Sequence, residues 1–309
     1  METAPRCPIT GLPATRRIQP ISARLIIGLW RGTFGVATER QLAGIEHFAL
    51  WESPCGLAFF DPMLAGDEAF YRELHRRWDF RRVLAAPGLA RPEFMRIAQA
   101  VRPGEKVLDV GCGEGGLARH LPQATYVGLD PNSSAMVSGP NVRNETIADH
   151  AASHLEEYDF ACAFHVIEHV ADPLGFAGDL RNCVKPGGRL FITVPSRDSP
   201  ITAIPNFVLN APPNHLSWWS ESALRALAAR LGVFIEALEP LPFWPCDSII
   251  YWMGRFAPKL TLDRYFRAHW TWYGALVWSW LAGRACDVLS HVPAWAGPSG
   301  FLLVARKRS

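Results

Sequence analysis

Val107-Leu108-Asp109-Val110-Gly111-Cys112-Gly113-Glu114-Gly115-Gly116 reads as a short buried strand running into a glycine-rich turn, with a helix beginning near Leu117. Glycine allows the turn a left-handed backbone and lets a ligand approach the main chain with no Cβ in the way. Gly111, Gly113 and Gly116 fit the dinucleotide spacing G-x-G-x-x-G, a weak signal when alone. Around this stretch, β-branched and apolar runs alternate with helical patterns. Residues 106–110, 124–129, 142–148, 158–164 and 189–194 read as strands, and 233–238 and 301–305 complete the series. Asp172-Pro173 starts a helix that residues 185–188 stop, and Ser220 caps another with Leu224, Leu227, Ala228 and Leu231 on one face. Such alternation specifies an α/β protein with an open, mostly parallel, doubly wound sheet. Its ligands bind beyond the carboxyl ends of the strands.

Two acids set the sign of the ligand. Glu114 lies within the turn and Asp109 just before it, so a diphosphate is repelled and a cationic or zwitterionic ligand is favoured. The segment YVGLDP (126–131) ends a second strand in Asp130, 21 residues after Asp109, near the spacing at which an acid accepts hydrogen bonds from ribose hydroxyls. S-adenosylmethionine, with a sulfonium, an ammonium and no phosphate, satisfies both. VLDVGCGEGG, YVGLDP, YDFACAFHVIEHV, LRNCVKPGGRLFITVP and PPNHLSWWSESALRALAARLGV, in that order, resemble the class I S-adenosylmethionine-dependent methyltransferases over residues 90–240, with the last strand at 301–307. The resemblance implies a Rossmann-like, doubly wound, seven-stranded sheet whose last strand is antiparallel. It implies cofactor contacts from Asp109, Gly111 and Gly113, and ribose binding by Asp130. It further implies Asp149 or His150 beside the adenine, and Phe164 and His165 beside the methionine end.

Methyl transfer from a sulfonium is an in-line displacement that requires an aligned acceptor, excluded water and often the removal of one proton. His165, at the end of the fourth strand, is the first candidate base, since imidazole titrates near neutrality. His215, in PPNH (212–215) just before Trp218 and Trp219, is the second. Residues 165–169 also spell H-x-x-E-H, an inverted zincin pattern, but here the motif directly follows a buried strand within the methyltransferase order. Glu168 and His169 binding a divalent metal that polarises a phenolic acceptor is a looser alternative; the expectation is no metal.

The flanking regions carry less signal. Residues 1–85 fall outside the alternation and read as a separate N-terminal region, with residues 86–309 as the catalytic domain and 240–299 as a helical insertion before the last strand. Residues 7–11 and 53–57 resemble the halves of a zinc ribbon, but only Cys7 and Cys55 remain of four ligands, so no structural zinc is expected. The basic, aromatic run 71–82 reads as a solvated helix face with its rings packed inward. In 262–284, Phe266, Trp270, Tyr273, Val277 and Trp280 share one face of a helix, and Trp272, Leu276 and Leu281 share the other. That reads as a lid over the acceptor site, with a peripheral membrane contact as the alternative.

The 309 residues include 49% apolar and 19% charged, with a formal charge of +2, so neither disorder nor a nucleic-acid partner is indicated. Seven scattered cysteines and an N-terminus without an apolar h-region point to a cytoplasmic protein, with the membrane surface as an alternative site. The expectation is a methyltransferase using S-adenosylmethionine on a small-molecule or lipid-linked acceptor, at oxygen. A non-catalytic binding or assembly protein of the same fold is opposed by the intact turn, Asp130 and His165. An NAD-dependent oxidoreductase is opposed by the acids of the turn.

Overall fold

The structure, a computed structural model, describes residues 4–77, 91–132, 141–243, 247–258, 264–289, 291–293 and 296–309. Its N-terminal elements are β1 (Arg16–Ser22), α1 (Ala23–Phe34), β2 (His47–Glu52), β3 (Ala58–Asp61) and α2 (Glu68–Arg77). Then come α3 (Pro92–Ala98), β4 (Lys106–Val110), β5 (Thr125–Leu129), β6 (Val142–Arg143), α4 (Ile147–Ala151) and β7 (Tyr158–Phe164). The chain continues through α5 (Pro173–Cys183), β8 (Val184–Pro195), β9 (Ser217–Trp218), α6 (Glu221–Leu231) and β10 (Phe234–Leu241). It ends with α7 (Ser248–Arg255), α8 (Trp270–Leu289) and β11 (Gly300–Arg306).

Seven strands form one sheet in the order β10-β11-β8-β7-β4-β5-β6, and β11 runs antiparallel to both of its neighbours. The expected doubly wound sheet with an antiparallel last strand is therefore present. Strand β4 lies inside the sheet, between β5 and β7, where the winding direction reverses. The carboxyl ends of β4, β5 and β7 converge there, which is where an open α/β sheet binds its ligands. Local chemistry sets the helix ends as read from the sequence. Asp172 accepts from the Gly175 N–H to start α5, Ser220 accepts from the Ala223 N–H to start α6, and left-handed Gly232 ends α6.

Two local expectations are corrected. The helix expected from Leu117 is only a short 3₁₀ turn, Gly116–His120. Pro122 follows at once, and a proline bars helical backbone from the residue before it. The strand expected over 142–148 pairs only at Val142 and Arg143, because the Thr146 hydroxyl accepts from the Asp149 N–H and caps α4.

The N-terminal strands take a partner from far along the chain. Strands β1, β2, β3 and β9 form a second, antiparallel sheet, in which Ala58 pairs with Trp218 and Phe59 with Ser217. Both faces of that sheet are buried, as the period-two alternation of its strands requires. Phe48, Leu50, Ala58 and Phe60 face a core shared with Trp30, Phe70, Trp218 and Phe266. Ala49, Trp51 and Phe59 face the core of the large sheet, among Leu108, Ala161, Ile192 and Trp219. The two segments that resemble ribbon halves do meet, with the Cys7 and Cys55 sulfurs 3.8 Å apart and the Thr10 N–H donating to Cys7 Sγ.

The insertion also differs from expectation. Helix α8 begins at Trp270, and Phe266, ahead of it, is buried in the N-terminal core. The face carrying Trp270, Tyr273, Val277 and Trp280 is exposed, while Trp272, Ala275, Ser279 and Gly283 are buried. These outward rings stand in solvent and do not pack into the core of the described residues. Residues 262–263 of that segment, and residues 78–82 of the basic run, lie outside the described residues.

Trp218 ties β9 to the N-terminal sheet and fills the core on its outer face. It is 5% exposed, stacks edge-on against Phe60 and Tyr265, and donates from Nε1 to the Asn210 carbonyl at 2.8 Å. Trp218→Ala is expected to destabilise the fold by about 3–5 kcal/mol. Denaturant unfolding should then show one lowered transition for the whole chain, not loss of the N-terminal part alone.

Candidate functional site

The glycine turn leaves β4 with Gly111 at φ 72° and Gly113 at φ 56°. A Cβ on Gly111 would lie 2.3 Å from Val166 Cγ2, whereas one on Gly113 would meet nothing within 4 Å. The first glycine is required for packing and the second keeps the ligand side open. Asp130, just past the end of β5, accepts from the Gly113 N–H through one oxygen and from the Asn132 N–H through the other, both at 2.8 Å. The carboxylate therefore fixes the turn while each oxygen keeps a lone pair for hydroxyl donors.

Asp109 is buried at the end of β4. It is 3% exposed, accepts from the Tyr126 hydroxyl at 2.8 Å, and takes the Cys162 thiol at 3.4 Å. Burial pushes its carboxyl up to about 6, against the opposing pull of those two bonds. Of the adenine candidates, Asp149 is exposed in the first turn of α4, bonded to Thr146. His150 is fully enclosed: Nε2 meets the Tyr158 hydroxyl at 2.8 Å, Nδ1 meets Glu145 at 3.2 Å, and the ring stacks on His154. With both nitrogens engaged in the interior, His150 is withdrawn from the cleft. Phe164 is buried at the end of β7 and packs on Phe94 of α3.

Directly after β7 the chain gathers the chemistry-bearing side chains. His165 sits at φ 59°, a conformation that a β-carbon disfavours and that clusters at functional positions. Its N–H is held by Thr193 Oγ1 at 3.0 Å, and its ring stands between two acids. Nε2 is 3.9 Å from Glu93, and Nδ1 is 3.6 Å from Glu168. Glu93 and Glu168 are each 1% exposed, and Glu93 pairs with Arg91 at 2.7 Å. No donor among the described residues reaches either Glu168 oxygen within hydrogen-bond distance. Burial works to raise the Glu168 carboxyl, but His165 and His169 outweigh it and hold it below the ordinary carboxylate value.

His169 shares Nδ1 between the Asn214 carbonyl at 2.9 Å and the Tyr71 hydroxyl at 3.4 Å, and its ring lies edge-on to His215 at 4.8 Å. Burial, with the His169 ring beside it, pushes His215 down to about 3. The two expected bases thus belong to one cluster, approached from β7 and from the 212–215 loop. Glu168, His169 and His215 each present a ligand atom within 4.8 Å of the others, a set able to hold a metal ion although none was expected. Sequence reasoning missed Glu93 and Tyr71. Pro92 signalled the start of α3, but nothing local says that this helix end meets His165.

Comparison with known proteins follows the same line. The profile of a family described as a methyltransferase domain matches residues 77–237. Ubiquinone biosynthesis O-methyltransferases of Klebsiella pneumoniae subsp. pneumoniae and Salmonella arizonae are each 38% identical over 107 residues, covering 31% of this chain and 44% of theirs. The chain therefore spans less than half the length of the curated relatives it matches. Haemonchus contortus phosphoethanolamine N-methyltransferase 2 has a TM-score of 0.51 at 14% identity, over 82% of this chain and 62% of that one. Burkholderia thailandensis 1,6-didemethyltoxoflavin-N1-methyltransferase has a TM-score of 0.50 at 15% identity, over 87% and 98%. At such identities the structural likeness is one of fold.

Asp109 gives the site a pH signature. Its carboxyl is near 6 in the fold and near the ordinary value when unfolded, so the folded state holds the extra proton between those values. Its contribution to stability is fully present below about pH 4 and is lost as pH rises through about 6, by at most ~3 kcal/mol. Asp109→Asn, which cannot ionise, should gain stability relative to the unsubstituted chain over that window. Urea midpoints measured every half pH unit would reveal it, and parallel curves would remove the assignment.

Proposed function

The chain belongs to the methyltransferase-domain family, and on that premise we propose that it transfers the methyl group of S-adenosylmethionine to a hydroxyl of a small-molecule or lipid-linked acceptor. The observation that carries this reading is the Asp130 carboxylate at the end of β5, bonded to the open Gly113 turn at the point where the sheet reverses. A ribose diol donates to such an acid. Gly113 leaves its backbone bare, and Asp149 stands at the adenine side. The choice of oxygen as the acceptor atom is supported by the name of the O-methyltransferases that share 38% identity with part of this chain.

In this reading the acceptor oxygen attacks the sulfonium methyl in line, the carbon–sulfur bond breaks with its electron pair left on sulfur, and S-adenosylhomocysteine leaves. The acceptor proton passes to the His165 imidazole, and the resulting cation is stabilised by Glu93 and Glu168 on either side. His215, held neutral by its surroundings, is the alternative base on the acceptor side. Phe164 and Phe94 exclude water from the methionine end.

A second reading is favoured by the buried, unbonded Glu168 carboxylate. A divalent cation on Glu168, His169 and His215 would act as a Lewis acid on the acceptor oxygen, with His215 a ligand and not a base. Calorimetric titration with manganese should show one saturable site that Glu168→Gln removes; heat of dilution alone would dispose of this reading.

For the main reading, S-adenosylhomocysteine should raise the melting temperature where NAD does not. Asp130→Ala is expected to weaken S-adenosylhomocysteine at least about tenfold, a loss of ~1.4 kcal/mol. His165→Ala should reduce tritiated-methyl transfer to phenolic acceptors by about 10²–10⁴ while affinity for S-adenosylhomocysteine stays within about threefold. Undiminished turnover in that variant would remove His165 as the base.

A further inference from the structure

The outer face of α8 carries large apolar side chains that the fold leaves in solvent. The helix docks on α7 through small residues: Ala275, Ser279 and Gly283 are buried, and a Cβ on Gly283 would meet Met253 Cγ at 2.7 Å. Its other face presents Trp270, Tyr273, Val277, Trp278, Trp280 and Leu281, each between 45% and 77% exposed. A solvated helix face is ordinarily polar, and a contiguous apolar patch marks an interaction surface. At 20 residues the helix is a rod about 30 Å long. No described helix is long and apolar enough to cross a membrane.

Charge identifies the partner. From Arg264 to Cys286 the sequence contains no acid, and the first is Asp287. At the N-terminal end of α8 an open cavity of about 790 Å³ separates the 264–273 segment from β1 and α1. Arg24, Arg264 and Arg267 line it with Ile18, Leu25 and Tyr273, and no carboxylate lines it. All three arginines are exposed, and none is ion-paired among the described residues. Tyr273 belongs both to this cavity and to the exposed face of the helix, so the cationic hollow and the aromatic ridge are one continuous surface.

We propose that this surface docks on an anionic phospholipid bilayer. A lipid phosphate sits among Arg24, Arg264 and Arg267, and the glycerol and upper acyl carbons lie on Ile18 and Leu25. The rings of α8 settle at headgroup depth, where tryptophan and tyrosine are favoured. A second copy of the chain fits less well. A two-fold contact pairs the patch with itself, and the residues lining the hollow and the exposed rings include no carboxylate to face the three arginines. The inference concerns the surface alone and does not depend on the methyl-transfer reading.

Flotation of the full chain with vesicles tests it, using phosphatidylcholine alone and phosphatidylcholine with about a third phosphatidylglycerol. The chain should float with the anionic vesicles and stay behind with the neutral ones, and its tryptophan emission should move to shorter wavelength on binding. Arg264→Glu with Arg267→Glu, or ~0.5 M NaCl, should lower the bound fraction about tenfold. Trp278→Ser with Trp280→Ser, both at exposed positions, should do the same. S-adenosylhomocysteine affinity should be unchanged in all of these variants. Equal binding to both vesicle types, or none to either, overturns the proposal. So does release from anionic vesicles by millimolar inorganic phosphate, which would mark a site for soluble phosphate. A dimer by light scattering whose tryptophan emission ignores vesicles would equally overturn it.

Discussion

Residue 111 has no room for a methyl group. Val166 occupies the space where a Cβ would stand, and the backbone there is left-handed, so glycine alone satisfies both demands. This contact presses the turn after β4 against the segment after β7. One segment presents open backbone to a ligand, and the other carries His165, Glu168 and His169. Their separation is therefore set by van der Waals contact and not by a flexible connection. A transferase needs that property, because the reacting atoms must be held close to contact distance and in line. The seven-stranded sheet brings the two segments to neighbouring strand ends, and the glycine closes the remaining gap.

Around this contact the fold buries three carboxylates, Asp109, Glu93 and Glu168, each at 3% exposure or less. Burying a charge without partners is costly, and each is compensated differently. Asp109 takes a phenol and a thiol and is pushed toward its neutral form. Glu93 pairs with Arg91. Glu168 relies on the field of the surrounding imidazoles, without a hydrogen bond among the described residues. The first two are structural solutions. The third leaves an acid whose strongest interactions are with groups that can change charge, so the region after β7 is the least settled electrostatically and the most responsive to what binds there.

Where the sequence was legible, the signal was local. Strands β4 and β7 run where the apolar runs placed them, and Asp172 and Ser220 cap the helices they were read to cap, because period and capping act over a few residues. The turn, Asp130 and His165 were found because motif spacing survives in one dimension. The failures share a different cause. The strand read over 142–148 gave way to a helix because one Thr146 hydroxyl outweighed a β-branched run. That His150 and Asp109 are both buried is decided by packing, which a linear pattern does not report. Glu93 and Tyr71 come to the cluster from helices far away in the chain, and no spacing rule reports such an approach. The late helix was expected to be apolar nearly all round, but Leu281, grouped with Trp272 by spacing, stands in solvent on the side of Trp270 and Val277. Trp272 and small residues make the seam because close approach of α7 favours small side chains over large ones.

The pairing of β9 with β3 has a consequence for how the molecule is made. The strands β1–β3 are made before those of the large sheet, yet the fourth strand of their own sheet is Ser217–Trp218, far later in the chain. Until those residues leave the ribosome, β3 presents an unpaired edge, and the core around Phe60 lacks the indole that covers it. Completion of the first-made layer thus waits on the central strands of the large sheet. The nascent chain carries an adhesive edge through that interval, and β9 is the strand that finally covers it.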